Sequence, residues 1–261
     1  MSSTRKRVTR RDMQIDEAGR RTAIDGAIRR RIYLFRHGSV DYIDDDGNIV
    51  PDTDLVVLSA LGRAQAKQMR DLFASVQIDK ALCSGLPRTR ETGETILGSR
   101  DIPLEVNAGF LEIRQMDGEA SGDYDIVADV AFSHWRANDE EARFLGGERY
   151  SDFYSRIEQT IGNLLSDDSW HNLALFAHGA TNAAFLGWAT GLGCSAFGIL
   201  DQAMCCLNVI DIDFDESGQI LRKTVRAMNV TADDPAKSDR HGGDMESLAH
   251  WMMQGSRTRP T

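Results

Sequence analysis

Two short apolar runs constrain this chain more than anything else in it. Ile32-Tyr33-Leu34-Phe35 stops at Arg36-His37-Gly38, and Leu173-Ala174-Leu175-Phe176-Ala177 stops at His178-Gly179. Runs this short, rich in β-formers and bounded by polar residues, predict buried strands rather than helices. A third strand is expected near Ala81 to Ser84, again running into polar residues. In open α/β sheets ligands bind beyond the carboxyl ends of the strands, so these three ends are the first place to look for chemistry.

Helices are expected between the strands. Ser59 can cap a helix with apolar positions Met69, Leu72, Phe73 and Val76. Pro87 reads as a first-turn proline for a helix over Arg88 to Leu97, and Pro103 to Val106 as a short extended piece. Asp123 to Asn138 is weakly periodic and reads as helical. Tyr150, Phe153, Tyr154, Ile157, Ile161, Leu164 and Leu165 form the cleanest helical stripe, and Ala180 to Thr190 follows the second His-Gly pair as another helix. Ile210, Ile212 and Phe214 alternate with Asp211 and Asp213, and Asp215 to Gly218 turns the chain into Gln219 to Val230, a hairpin that would make the sheet mixed.

At 261 residues one α/β domain is expected. The divisions read as a basic extension over 1–30, a central domain over 31–230 and a peripheral tail over 231–261. Residues 1–31 hold ten Lys/Arg against four acids, while the whole chain carries −10, which argues against a general polyanion binder and leaves no nucleic-acid partner expected. No apolar stretch is long enough for a membrane span and no secretory signal is seen, so a cytoplasmic protein with no membrane partner is expected. Cys83, Cys194, Cys205 and Cys206 form no CxxC pair and read as reduced structural thiols; Cys205 and Cys206 on a strand would point to opposite faces. Asp44-Asp45-Asp46-Gly47-Asn48 lacks the spaced ligands of a calcium loop, so it reads as a solvated turn.

The strand ends deliver Arg36, His37, Arg88 and His178. A phosphoryl group spreads charge over three oxygens and favours fixed, forked donors, which Arg36 and Arg88 can supply. Neutral His37 could attack phosphorus, Gly38 could let the backbone approach the phosphate, and His178 could donate to oxygens that gain charge. A carboxylic acid must protonate the departing alkoxide, and Glu112 is the candidate, against the plainer reading of a surface carboxylate.

These motifs resemble the histidine phosphatase superfamily, also called phosphoglycerate mutase-like, over about Arg31 to Val230. Leu34-Phe35-Arg36-His37-Gly38 matches its Arg-His-Gly hallmark, and Leu58-Ser59-Ala60-Leu61-Gly62-Arg63-Ala64-Gln65-Ala66 its next stretch. Ser84-Gly85-Leu86-Pro87-Arg88-Thr89-Arg90-Glu91-Thr92 matches its second arginine segment. Gly109-Phe110-Leu111-Glu112-Ile113, Gly146-Gly147-Glu148 and Ala177-His178-Gly179 follow in order. The resemblance implies a three-layer α/β/α sandwich with a mixed, mostly parallel sheet, and a metal-independent, acid-type phosphatase that needs no cofactor. It implies a phosphohistidine on His37, phosphate binding by Arg36, Arg88 and His178, and Glu112 as proton donor.

The match departs from the family at Ser39-Val40, though Ser39 could still bond a phosphate oxygen. It departs again downstream of Glu112, where Glu119 becomes a competing donor. The Tyr-Gly-x-Leu-x-Gly-Leu-Asn stretch of mutases is missing from the sequence, which favours hydrolysis of a small phosphomonoester over phosphoglycerate-type transfer. A non-catalytic binding protein on the same fold is the alternative from another class. Substrate choice is expected to lie in the loops over Asp41 to Val57 and Asp117 to Gly147, and the sequence leaves the oligomeric state open.

Overall fold

The computed structural model of the chain describes residues 14–15, 21–22, 26–43, 50, 52–116, 126–238 and 240–253. A short antiparallel pair, β1 (Gln14–Ile15) and β2 (Arg21–Thr22), precedes the main sheet. That sheet contains β3 (Ile28–Arg36), β4 (Lys80–Cys83), β5 (Leu104–Val106), β6 (Asn172–Ala177), β7 (Leu207–Phe214) and β8 (Ile220–Val230), in the order β5-β4-β6-β3-β7-β8. The first four in that order run parallel, and β7 and β8 close the edge as an antiparallel hairpin.

Alternation along the strands makes two faces, and helices bury both. On one side Ile32, Leu34, Leu82, Leu173, Leu175, Ile210 and Ile212 pack against α4 (Tyr150–Ser166) and α5 (Gly179–Thr190). The α4 stripe of Tyr150, Phe153, Ile157, Ile161 and Leu164 is buried there. On the other side Phe35, Ala81, Cys83, Ala174 and Phe176 meet α1 (Ala60–Phe73) and α2 (Pro87–Leu97). Phe35 stacks on Phe176 at 4.9 Å, and Phe73 of α1 meets Phe35 edge-on at 5.1 Å. The result is a three-layer α/β/α sandwich on a mixed, mostly parallel sheet. No helix among the described residues is long and apolar enough to cross a membrane.

Register places the site. Arg36 pairs with Ala177 and Cys83 with Phe176, so His37, His178 and Ser84 emerge at neighbouring strand ends.

Several local expectations are corrected. Ser59 caps α1 by accepting from Gly62 N, but Leu72 faces solvent and Val76 lies beyond the helix. The buried stripe of α1 is Ala66, Met69 and Phe73, one face at i, i+3 and i+7, which leaves Leu72 off it. Of Asp123 to Asn138, the described helix is α3 (Ile126–Phe132), followed by turns. Cys205 and Cys206 precede β7 instead of lying on a strand; Cys205 takes a left-handed turn at φ 57°, and all four cysteines are free. After α6 (Ala196–Ile199) and the hairpin, the segment expected to be peripheral contains α7 (Asp244–Met253), which packs on α3 and brings Asp244 to Arg36.

Candidate active site

The imidazoles of His37 and His178 lie edge-on with centroids 5.3 Å apart, and both residues are buried. His37 Nδ1 sits 2.8 Å from the Gly38 carbonyl oxygen. A carbonyl can only accept, so Nδ1 carries the hydrogen and Nε2 of the neutral ring holds a free lone pair. Burial, and then the nearby Arg36 and Arg88 charges, hold the His37 pKa well below the 6.5 of a free imidazole. The ring is therefore neutral and nucleophilic near neutral pH. His178 is depressed in the same direction, by burial first and then by His37, Arg88, Arg36 and Arg156.

Two guanidiniums complete the cluster. Arg36 ends β3; its Nη1 donates to Gln202 O and pairs with Asp244. A Cβ at Gly179 would stand 3.3 Å from Arg36 Nε, so the second His-Gly pair supplies a glycine where the guanidinium lies against the start of α5. Arg88 occupies the first turn of α2 behind Pro87 and donates through Nη1 to Thr53 O at 2.8 Å. Arg36 Nε, Arg88 Nε and His178 Nδ1 are buried with no hydrogen-bond partner among the described residues. An unsatisfied buried polar atom costs about 1–3 kcal/mol and is uncommon in folded proteins. Three in one cationic cluster fit a site shaped for the oxygens of an anion.

Glu112 approaches from the loop after the 3-10 turn at Ala108–Phe110. Its Oε2 accepts from Ala180 N at 3.1 Å, and its Oε1 accepts from Thr181 N at 3.0 Å and Ile113 N at 3.1 Å, so the carboxylate caps α5 beside His178. Arg156 of α4 ties this loop down by donating to Gly109 O and Leu111 O, and Glu148 bonds both Arg156 and Arg114 N. A Cβ on Gly147 would lie 2.3 Å from Arg114 O, so the Gly146-Gly147-Glu148 motif lets two backbone segments touch and then clamps them. Glu119 lies outside the described residues.

Gly38 and Ser39 are brought to the site, but their donors are used inside the protein. Gly38 N donates to Thr92 Oγ1, and Ser39 N and Oγ both donate to Gln65 Oε1. A Cβ on Gly62 would fall 2.1 Å from Ser39 O, so the two glycines serve close contact between this loop and α1. Sequence reasoning missed Tyr42, whose phenol pKa is raised by burial and which senses Arg88, Arg36, Glu112 and Asp244. It also missed Asp244, shared between Arg36 and Arg240, because neither residue stands in a motif. Among the described residues no group of three His, Cys, Asp or Glu side chains could hold a metal ion.

The sequence signature of the histidine phosphatase superfamily (branch 1) matches residues 32–225. A probable 2-carboxy-D-arabinitol-1-phosphatase of Arabidopsis thaliana is 26% identical over 218 residues, 82% of this chain and 44% of the plant protein, so the chain spans less than half of that relative. The adenosylcobalamin/alpha-ribazole phosphatase of Escherichia coli is 25% identical over 185 residues, covering 70% of this chain and 90% of that protein. The crystal structure of a putative alpha-ribazole-5'-P phosphatase from Escherichia coli superposes with a TM-score of 0.61 at 25% identity, over 77% of this chain and 96% of that one. With the match running from β3 into β8 and containing both histidines and both arginines, this chain belongs to the histidine phosphatase superfamily.

Proposed function

We propose that the protein hydrolyses small phosphomonoesters through a phosphohistidine on His37, without a metal or cofactor. The observation that carries this reading is the neutral, oriented His37 facing a cluster in which Arg36, Arg88 and His178 each keep a buried nitrogen unpaired among the described residues. The phosphatases among the relatives support the reaction class. His37 Nε2 attacks phosphorus in line, the P–O bond to the leaving group breaks, and the guanidiniums hold the equatorial oxygens. Glu112 gives its proton to the departing oxygen. Each carboxyl oxygen has two lone pairs, and with one on Ala180 N, Oε2 keeps another for that proton. Water then attacks phosphorus while giving a proton back to the Glu112 carboxylate; the P–Nε2 bond breaks, which releases phosphate and restores neutral His37 and protonated Glu112.

The test is release of phosphate from p-nitrophenyl phosphate in excess chelator by the wild type and by His37→Ala. Activity that survives chelation and falls by ~10⁴-fold or more in the variant is expected; equal activity in both would overturn the assignment. The rate should also hold on the acid side well below pH 6.5, since protonated His37 cannot attack and its pKa is depressed. A limb starting at or above 6.5 would contradict the neutral-ring reading. Glu112→Gln should slow hydrolysis of alkyl phosphates about 100-fold and of p-nitrophenyl phosphate only slightly, because nitrophenolate leaves without a proton. Equal losses would remove Glu112 as the donor.

A further inference from the structure

His178 is backed by a chain of hydroxyls with a fixed direction. Its Nε2 lies 2.8 Å from Ser84 Oγ, Ser84 Oγ lies 3.0 Å from Thr89 Oγ1, and Thr89 Oγ1 donates to Leu86 O at 2.8 Å. Each hydroxyl has one hydrogen to give. With the Thr89 hydrogen on Leu86 O, Thr89 accepts from Ser84, and Ser84 accepts from His178. Reversing the chain would forfeit the bond to the part-buried Leu86 O and leave that carbonyl without it. The neutral ring therefore carries its hydrogen on Nε2 and leaves Nδ1 as a bare lone pair.

That lone pair is on the wrong atom for an anion site. Nδ1 is buried without a hydrogen-bond partner among the described residues, and a bare nitrogen would repel a phosphoryl oxygen. The surroundings keep the ring neutral until an anion arrives. Burial does most of this, and His37 just past β3, Arg88 of α2, Arg36 at the end of β3 and Arg156 of α4 add to it. The Glu112 carboxylate bonds Ala180 N and Thr181 N on the next turn, and Asp244 is paired with Arg36.

We propose that an oxyanion entering this site brings one proton from solvent onto His178 Nδ1, and that Ser84 and Thr89 are positioning residues that enforce this uptake by holding the hydrogen on Nε2. The inference rests on the phosphoryl-site reading above. On binding, an N–H bond forms at Nδ1 and no bond in the hydroxyl chain breaks; the imidazolium then donates forward to the anion and backward to Ser84. The proton returns to solvent when the product leaves. Anion affinity rises as pH falls, by about tenfold per pH unit for one proton taken up wherever the free site holds a neutral His178.

Sulfate is the probe, because it remains a dianion near neutral pH and takes up no proton itself. Calorimetry of sulfate binding to the full chain, in buffers of different ionisation heat, counts the protons absorbed. Thr89→Val removes the acceptor for Ser84 and lets Ser84 donate to Nε2, so neutral His178 can present an N–H at Nδ1. Uptake in Thr89→Val should fall by about one proton relative to the wild type, and Thr89→Ser should restore it. Nitrogen-15 NMR of the His178 ring gives an independent reading in the wild type: hydrogen on Nε2 alone in the free protein, on both nitrogens with sulfate bound. Equal uptake in wild type and Thr89→Val, or a free ring with its hydrogen on Nδ1, would overturn the relay. Failure to bind sulfate would overturn the anion site and the relay together. Normal sulfate-linked uptake without any phosphatase activity would leave the relay standing and overturn the catalytic reading alone.

Discussion

β3 carries arginines toward both of its ends, and the two groups have opposite characters. Near its start Arg29 and Arg31 lie beside Asp213 and Asp211 of β7, with Arg222 and Arg226 of β8 completing a ladder across the sheet. Each aspartate, 1% exposed, accepts hydrogen bonds from two guanidiniums, and Arg29 also lies 3.7 Å from Asp211. At its end Arg36 joins Arg88 and two histidines, and there the guanidinium Nε atoms have no partner among the described residues. Arg29 and Arg31 are matched by carboxylates, and Arg30 between them donates to Leu165 O and Asp167 O while its Nε stays unpartnered; Arg36 pairs with Asp244 yet, like Arg88, also keeps a buried Nε without a partner among the described residues. What separates the two ends is their company: at the carboxyl end two partly unpaired guanidiniums converge with two histidines, the arrangement on which the proposed anion site rests.

The contrast should appear most strongly in Arg88→Ala. Removing a forked donor from the site is expected to lower kcat/KM by about 10²–10³-fold, with little change in melting temperature. A melting loss with unchanged kinetics would assign Arg88 to the scaffold and erase the distinction. Asp213→Asn should do the reverse. It leaves Arg29 and Arg222 facing a neutral amide, and because both retain some access to solvent the expected loss is about 2 kcal/mol, read as a drop of roughly 5 °C in melting temperature. Activity should stay within about twofold, since the site is distant and shares no partner with the ladder. The smallest effect belongs to Arg226→Gln, whose side chain is 43% exposed; about 0.5 kcal/mol or less is expected from urea denaturation. A large loss there would show that the ladder acts as one cooperative network.

The sequence disclosed this site where local pattern and strand order coincide. His37, Arg88 and His178 each follow a short apolar run, and parallel pairing in register turns sequence position into proximity. Glu112 was legible only through the family resemblance, because its loop has no periodicity and its place beside α5 depends on Arg156 and Glu148. The alternation of Asp211 and Asp213 with apolar residues disclosed the hairpin but not the ladder, since two of its four arginines, Arg29 and Arg31, lie far away in sequence. Asp244 was hidden for the same reason: a single acid in a polar tail has no local signature, and only tertiary packing of α7 on α3 carries it to Arg36. The Ser84 and Thr89 hydroxyls stood inside a recognised motif, yet their direction of donation becomes readable only when Leu86 O and His178 are in place.

The most direct test of the central claim is to mix the protein with a phosphomonoester, quench in alkali where phosphohistidine survives, and map the adduct by peptide mass spectrometry. A phosphoryl group on the His37 peptide that forms within one turnover and decays with phosphate release is the expected result. Turnover with the label absent from His37, or carried on another residue, would contradict the account.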